Sequence, residues 1–494
     1  MEEQRYNIIL SAVAVYLIAC IGVGIWAMKR TKSSQDFFMA GRNLGFLVTG
    51  CAIFSSIMSG FGFVGGPGLV YSMGMSSVWI VCSATAGFSL SFFLLSKRLR
   101  LISEIRQTVS LPAAIAARYR SETTRFLSAV AIVLGVIGYL GTQILAMATV
   151  LGELFKNHPS LGEIPLEVSV GVSCAVLVFY CVTGGIIASV YTDTLQGLVM
   201  VVAAILVFIA AVGAIDGGMA GAGEVLLRDD PESISPWGSL GMIGCLSWFF
   251  LFAFGGAGQP HVITKMMMTR DVRDAKRVLP LTIVAYCLCA LLWIGVGIVM
   301  RALVLQGEHD ALTSTNDAAP QFLQHYAHPL LAGLVFAGLF AAIMSTADSF
   351  LNIGAAACVH DIPKALTGRT LKNELFWARV ATVILVAVSA SFALYYGDLI
   401  ALLGAFGWGT FAAALVPTVA IGFNWKRATA TAANVAIVTS LVFNFTVKLA
   451  DWKLPYGISE GAVSLLISLT LFFGISLLSK PPVLDEDIEA VMDL

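Results

Sequence analysis

The sequence predicts an all-α integral membrane protein, on three observations. Hydrophobic residues make up 58% of the 494 and charged residues only 12%, with a mean hydropathy of +0.87, whereas soluble domains carry roughly a quarter charged residues. Apolar runs on the order of 20 residues, long enough to cross a bilayer, recur from one end to the other. Lys and Arg gather in alternate links between those runs. One membrane transport domain covering 1–494 is expected, with the lipid bilayer as its surroundings. The net charge of −1 points to no class of partner, and no nucleic acid is expected.

Thirteen hydrophobic segments begin near residues 6, 44, 76, 126, 166, 193, 237, 279, 320, 376, 399, 429 and 458. The first, 6–28, is longer than a signal-peptide core and lacks a small-residue cleavage site, so it reads as a retained extra helix with the mature chain starting near Met1. Threaded alternately with the N-terminus outside, the thirteen put 23 of the 29 Lys and Arg on one side, in 29–42, 97–125, 265–277, 359–379, 424–430 and after 479. Arg5, Lys156, Arg228, Arg301, Lys448 and Lys453 fall opposite. Positive charge stays inside, so the N-terminus is expected outside and the C-terminus inside. The polar links 217–236 and 306–320 read as solvated outer connectors, and the acidic tail 480–494 as a flexible cytoplasmic end without an assigned function.

The nine cysteines lie in or beside apolar stretches without CxxC pairs, and the six histidines show no ligand spacing. Packing is their expected role, and no haem or catalytic metal is expected.

Two segments are interrupted. The second contains "SGFGFVGGPG" (Ser59 to Gly68) and the seventh "FGGAGQPH" (Phe254 to His261), each with glycines and a proline in mid-span. Transporters place their sites at such breaks, because unwound backbone exposes carbonyls to cations and helix ends to solutes. The two stand five segments apart, in matching positions of two five-helix halves, 44–216 and 237–423. Five helices per half make the second copy enter the membrane from the other side, an inverted repeat. The segments of 429–479 are then two extra helices.

Within the ninth segment, "AAIMSTADSF" (Ala341 to Phe350) sets Ala342, Ser345, Thr346 and Ser349 on one helical face. Hydroxyls facing the free carbonyls of a broken helix make a neutral oxygen cage suited to a monovalent cation, whereas divalent ions ask for more carboxylates. The alternative is that these hydroxyls bond back to their own helix. Asp348 in mid-membrane is costly and is a functional candidate, the alternative being a structural carboxylate that caps or bonds a neighbouring helix, with Asn352 and Ser345 as partners in reach. Asp193, in "GGIIASVYTDTLQG" (Gly184 to Gly197), lies in the link between the fifth and sixth segments, and could serve as the N-cap of the sixth.

These motifs, with "GAFGWGTFAAALVP" (Gly404 to Pro417), resemble the solute:sodium symporter family over essentially the whole chain. The resemblance implies a LeuT-like 5+5 inverted-repeat core that couples sodium entry to uptake of a small organic solute by alternating access. It implies a multi-pass protein of the plasma (inner) membrane, with Na+ as coupling ion. Carried onto this sequence, the shared sodium site falls on the backbone near Ser55 and Met58, the backbone of Ala342, and the side chains of Ser345 and Thr346. Asp193, Asp348 and Ser349 are candidates for coupling or for a second ion. Proline carriers of the family place an acid where Ile57 stands, and Trp and Tyr where Phe252 and Gly256 stand, which weakens proline as the solute. "GGPGLVYSMG" resembles pantothenate-type carriers. The solute contacts expected are Ser59, Gly60, Phe63, Gln143, Phe252, Phe254, Phe406 and Trp408. With no Lys or Arg evident in the core spans, a neutral or zwitterionic solute is favoured, or a monocarboxylate held close to sodium.

The competing readings are a membrane solute sensor that keeps the transporter fold, a proton-coupled carrier, a channel, and an intramembrane aspartyl protease using Asp193 and Asp348. The short tail leaves no room for a signalling domain, and neither acid is followed by a Gly-rich turn. A sodium-coupled symporter of an amino acid, pantothenate or a monocarboxylate, and not an enzyme, is the expectation. Oligomeric state is left open.

Overall fold

The computed structural model describes residues 2–28, 39, 44–156, 162, 164–395 and 400–494, and its regular elements there are all helices. In chain order, α1 is Glu2–Met28, α2 Phe46–Ile57, α3 Gly66–Met73, α4 Val78–Ser91, α5 Lys97–Ile105, α6 Leu111–Tyr119 and α7 Glu122–Lys156. Then come α8 Leu166–Gly213, α9 Gly218–Asp229, α10 Gly241–Gly255, α11 Pro260–Met267, α12 Ala275–Gln306 and α13 Ala318–His325. The last are α14 Pro329–Ala356, α15 Ile362–Thr367, α16 Glu374–Tyr395, α17 Ile400–Leu415, α18 Ala430–Leu449, α19 Glu460–Leu478 and α20 Glu486–Met492. Among the described residues, eleven stretches are helical, long and apolar enough to cross a membrane, and two shorter apolar helices, Phe46–Ile57 and Leu166–Phe179, accompany them.

Burial sorts these helices. The most apolar windows of the stretches containing α14 and α17 are 83% and 89% buried, against 28% for that of α1. A helix apolar on every side and buried in protein forms the centre, whereas one apolar and exposed faces lipid. The oxygen-rich ninth segment is therefore central.

Several links are more structured than their polarity suggests. The ninth membrane helix starts at Pro329, and residue 320 belongs to the separate short helix α13. Pro329 at the first helical position and His328 in extended geometry explain the restart. The connector 217–236 carries α9, whose Ala222 and Leu226 are buried, so it is more than a solvated loop. In 306–320, Ser314 and Asp317 form a reciprocal capping box, and Asn316 Oδ1 accepts from the Ile400 N–H at 3.3 Å. The link expected between the fifth and sixth segments is itself helical, within α8. Asp193 therefore sits inside a helix and is no N-cap.

The basic segments 97–125, 265–277, 359–379 and 424–430 meet on one face. Arg118 Nε donates to Gly422 O at 2.8 Å, Arg100 donates to the carbonyls of Thr269 and Arg270, and Ser110 Oγ to Asp361 Oδ1 at 2.7 Å. Lys29, Arg30, Lys32 and Arg42 lie outside the described residues. The acidic tail docks on the same face as α20, burying Ile488, Val491 and Met492. The flexible end read from composition is thus a packed helix, because every third or fourth residue of it is apolar.

Candidate functional site

The second apolar segment breaks where its glycines begin. α2 ends at Ile57, and Met58 takes φ −82°, ψ 84°, which turns the chain out of the helix. Beyond it the chain resumes as a π-helical turn, Phe61–Gly65, that leads into α3. In an unbroken helix the Gly60 N–H would bond to Ser56 O. Here it donates to Gln143 Oε1 of α7 at 2.8 Å, so Ser56 O needs another donor.

That donor comes from α14. Thr346 Oγ1 donates to Ser56 O at 3.1 Å and lies 3.0 Å from Ala342 O, while Ser345 Oγ donates to Ser55 O at 2.9 Å and lies 3.2 Å from Ala342 O. Three backbone carbonyls and two hydroxyls thus converge in fully buried surroundings. Ser55, Ala342, Ser345 and Thr346 come together as the sequence suggests. Ser56 is an oxygen that sequence reasoning misses, although its place four residues before Gly60 is an available signal. Met58 is buried at the break, its N–H bonded to Phe54 O. Ser349 Oγ bonds back to Ser345 O at 2.8 Å, so its hydroxyl is spent within its own helix rather than aimed at the cage.

The second break follows α10. A 3-10 turn, Gly256–Gly258, and extended Gln259 (φ −81°, ψ 106°) precede Pro260 at the start of α11. Gln259 Nε2 donates to Gly255 O at 3.0 Å and to Trp408 O at 3.3 Å, which ties the break to α17. Between the breaks, Ser59 Oγ and Tyr139 OH lie 3.2 Å apart, and Phe61, Phe252 and Trp408 form a chain of rings with centroids 6.0 and 5.1 Å apart. Tyr139 also packs on Phe350, whose ring meets His261 at 4.5 Å. Several buried polar atoms here have no partner among the described residues: Gln143 Nε2, Gln259 Oε1, Trp408 Nε1 and His261 Nδ1. Such atoms are costly when unpaired.

Of the solute contacts read from sequence, Ser59, Gly60, Gln143, Phe252 and Trp408 join this region. Phe254 does not: it is 43% exposed and packs on Phe250 along the outer face of α10. Phe406 faces Phe392 and Phe445, away from the breaks. Phe63 turns toward Gly338 of α14. Each lies on a helix that reaches the site, but helical rotation sends it elsewhere. Tyr139, one turn before Gln143, and Phe61, two residues after Ser59, join the same region and are not singled out by the sequence reading.

The charged groups also differ from expectation. Lys265, counted from sequence among loop cations, is 2% exposed within α11 and pairs with Asp193 Oδ2 at 2.8 Å. The core spans therefore do hold a lysine, one already committed to an acid. Asp348 accepts from Asn352 Nδ2 at 3.0 Å, the expected partner, while Ser345 turns to the carbonyls instead. A groove of about 690 Å³ lined by Asn7, Tyr16, Leu195 and Leu330 lies on the outer side of the bundle, away from both breaks.

The model of the sodium:solute symporter family matches residues 37–439. The chain is 27% identical over 481 residues to the sodium/proline symporter of Escherichia coli (strain K12), covering 95% of this chain and 92% of that protein. It is 25% identical over 486 residues to the osmoregulated proline transporter OpuE of Bacillus subtilis (strain 168), covering 96% and 95%. Among solved structures, a Na+-coupled sialic acid symporter in a substrate-bound outward-open state superposes with a TM-score of 0.77 at 22% identity, covering 96% of this chain and 98% of that one. A nucleobase-cation-symport-1 family transporter, solved closed with bromovinylhydantoin bound, gives 0.57 at 14% identity, covering 92% and 98%. These two likenesses concern the fold.

Proposed function

We propose, on the premise that this chain belongs to the sodium:solute symporter family, that it imports a small neutral or zwitterionic solute with sodium by alternating access. It is a membrane carrier and not an enzyme. One observation carries the reading: the Ser345 and Thr346 hydroxyls meet the Ser55 and Ser56 carbonyls at the open end of α2. A helix C-terminal end presents carbonyl oxygens and negative partial charge, which favour a cation. When sodium enters, the two hydroxyls rotate their protons away, and the oxygens that now bond one another turn to the ion. Binding there joins α14 to α2. The same stretch of backbone carries Ser59 and Gly60, so filling the cage organises the solute side as well. That shared break is the physical basis of coupling.

The solute side is lined by Ser59, Gly60, Tyr139, Gln143, Phe252, Gln259 and Trp408, with hydrogen-bonding atoms that carry no formal charge. Such a lining favours an amino acid or another compact polar molecule over a multiply charged one. The reading includes thirteen spans in the plasma membrane with the N-terminus outside, two inverted five-helix repeats over 44–216 and 237–423, and an energy source of roughly 2.3 kcal/mol for each charge crossing 100 mV.

The test is thermal stability of purified protein in sodium against potassium or choline, screened with proline, other amino acids, pantothenate and monocarboxylates. A ligand of the native state raises the melting temperature by mass action. A solute shift that requires sodium is the expected result. A solute shift equal in all three cations would overturn sodium coupling and favour a proton-coupled carrier.

A further inference from the structure

Beside the proposed cage the protein holds a cation of its own. Lys265 stands near the second break, five residues after Pro260 in α11. Its Nζ donates to Asp193 Oδ2 of α8 and to Ala52 O of α2, both at 2.8 Å. Both side chains are essentially sealed from solvent, 2% and 0% exposed. Ala52 stands one helical turn before Ser56 on α2. The ammonium therefore sits on the backbone of the same helix whose open end forms the cage. The hydroxyls of Ser55 and Ser189 lie beside the Asp193 carboxylate, and Asp348 is close enough to feel the charges of both Asp193 and Lys265.

An ammonium group and a monovalent metal ion ask for the same surroundings, namely carboxylate and carbonyl oxygens around one positive charge. A sodium ion drawn to Asp193 would compete for the carboxylate oxygen and the Ala52 carbonyl that Lys265 already engages. The lysine is strongly favoured in that contest, because its charge is covalently held in place and cannot leave. It also cannot be transported. The cage at Ser345 and Thr346 differs in this respect: its hydroxyls bond to the carbonyls of the cage itself, and the Lys265 ammonium is spent on Asp193 and Ala52.

We infer that Lys265 is a tethered cation that fills the place of a second ion at Asp193, so that the carrier moves one sodium ion per cycle, through the Ser345–Thr346 cage alone. The inference rests on the reading of that cage as a sodium site. It makes Lys265 a residue that sets the sodium stoichiometry without touching the transported ion.

The test counts sodium. Equilibrium binding of ²²Na+ to the purified full-length chain should give one ion per wild-type chain, with a Hill slope near one for sodium-dependent thermal stabilisation. Lys265→Ala should bind two ions, and its melting temperature should rise more steeply with sodium, toward a slope of two. Lys265→Arg should keep one. The double variant Lys265→Ala with Asp193→Asn, which removes the carboxylate that Lys265 engages, should also return to one. A structural ion pair alone would change stability but not the count. Two ions per wild-type chain would overturn the inference while leaving the cage intact, and this measurement needs no variant to fold. A folded Lys265→Ala chain that still binds one ion would overturn it too. Absence of specific sodium binding in the wild type, unchanged by Ser345→Ala, would instead sink the cage itself, so the two failures are distinct.

Discussion

At the scale of single residues, the cage and the solute side should respond differently to substitution. Thr346→Ala removes an oxygen now 3.1 Å from Ser56 O. A hydrogen bond or ligand to a charged group is worth about 1.5–3 kcal/mol, so half-maximal uptake should need roughly tenfold to hundredfold more sodium. Solute affinity at saturating sodium should change much less. Uptake assays across sodium concentrations decide this, and unchanged sodium dependence in both Ser345→Ala and Thr346→Ala would refute the placement. Gly60→Ala acts on the other side. A Cβ there would lie 2.6 Å from Ala146 Cβ and 3.1 Å from Gln143 Oε1. Overpacking of this kind costs about 1–3 kcal/mol, so solute affinity should fall and the melting temperature with it. The hydroxyls of the cage are legible in the sequence because helical spacing fixes which side chains share a face. The directions of Phe63, Phe254 and Phe406 are not, because the rotation of a helix about its axis is set by neighbours far away in the chain.

At the scale of helices, two features can be tested without knowing the solute. The break after α10 lies against α4 so closely that a Cβ on Gly256 would stand 2.5 Å from the carbonyl carbon of Gly87. Both partners are backbone, with no side chain to swing aside. Pro260, whose ring fixes φ at the start of α11, further limits how far the break can shift to make room. Gly256→Ala should therefore lower stability by about 1–3 kcal/mol, read as a drop in melting temperature. The second feature is Asp317, outside the membrane spans. Burial, then the nearby Glu153 charge, raise its carboxyl to about 6, against the opposing Ser314 N–H bond and Lys156 charge. A carboxyl raised in the folded state is best tolerated while protonated. The contribution of this turn to stability should therefore fall as pH rises from about 4 to about 6 and stay level above. Hydrogen exchange of residues 314–325, corrected for the intrinsic pH dependence of exchange, should show more protection at pH 5 than at pH 7.5, and equal protection would refute it. Glycine and proline make both breaks legible, since few other patterns interrupt an apolar run. The connectors 217–236 and 306–320 escape such a reading because polarity signals exposure even where short helices fold back over the bundle.

At the scale of the whole molecule, the docked tail joins segments that are distant in sequence. Arg106 bonds to Asp485 and Asp487 at 2.6 Å, 379 and 381 residues away, while Lys426 meets Glu489 at 2.9 Å and Asp493 at 2.8 Å. No periodicity can reveal such pairs, which is why the tail reads as free. Exposed ion pairs contribute little singly, but here they frame the buried side chains of Ile488, Val491 and Met492. The helix α20 thereby clips the end of α5 to the link before α18. Arg106 holds the Asp487 carboxyl below the usual carboxylate range. A depressed carboxyl lends its stabilisation above its unfolded value of about 4 and loses it only as pH falls through the lower folded value, so the clip should be fully engaged at neutral pH. Removing residues 483–494 should leave the membrane helices folded yet speed hydrogen exchange in 97–125 and 424–427 at least severalfold. Salt at 1 M, where the screening length is about 3 Å, should produce part of the same change in the intact chain. Identical exchange in the full and shortened proteins would mean that α20 rests on the face without restraining it.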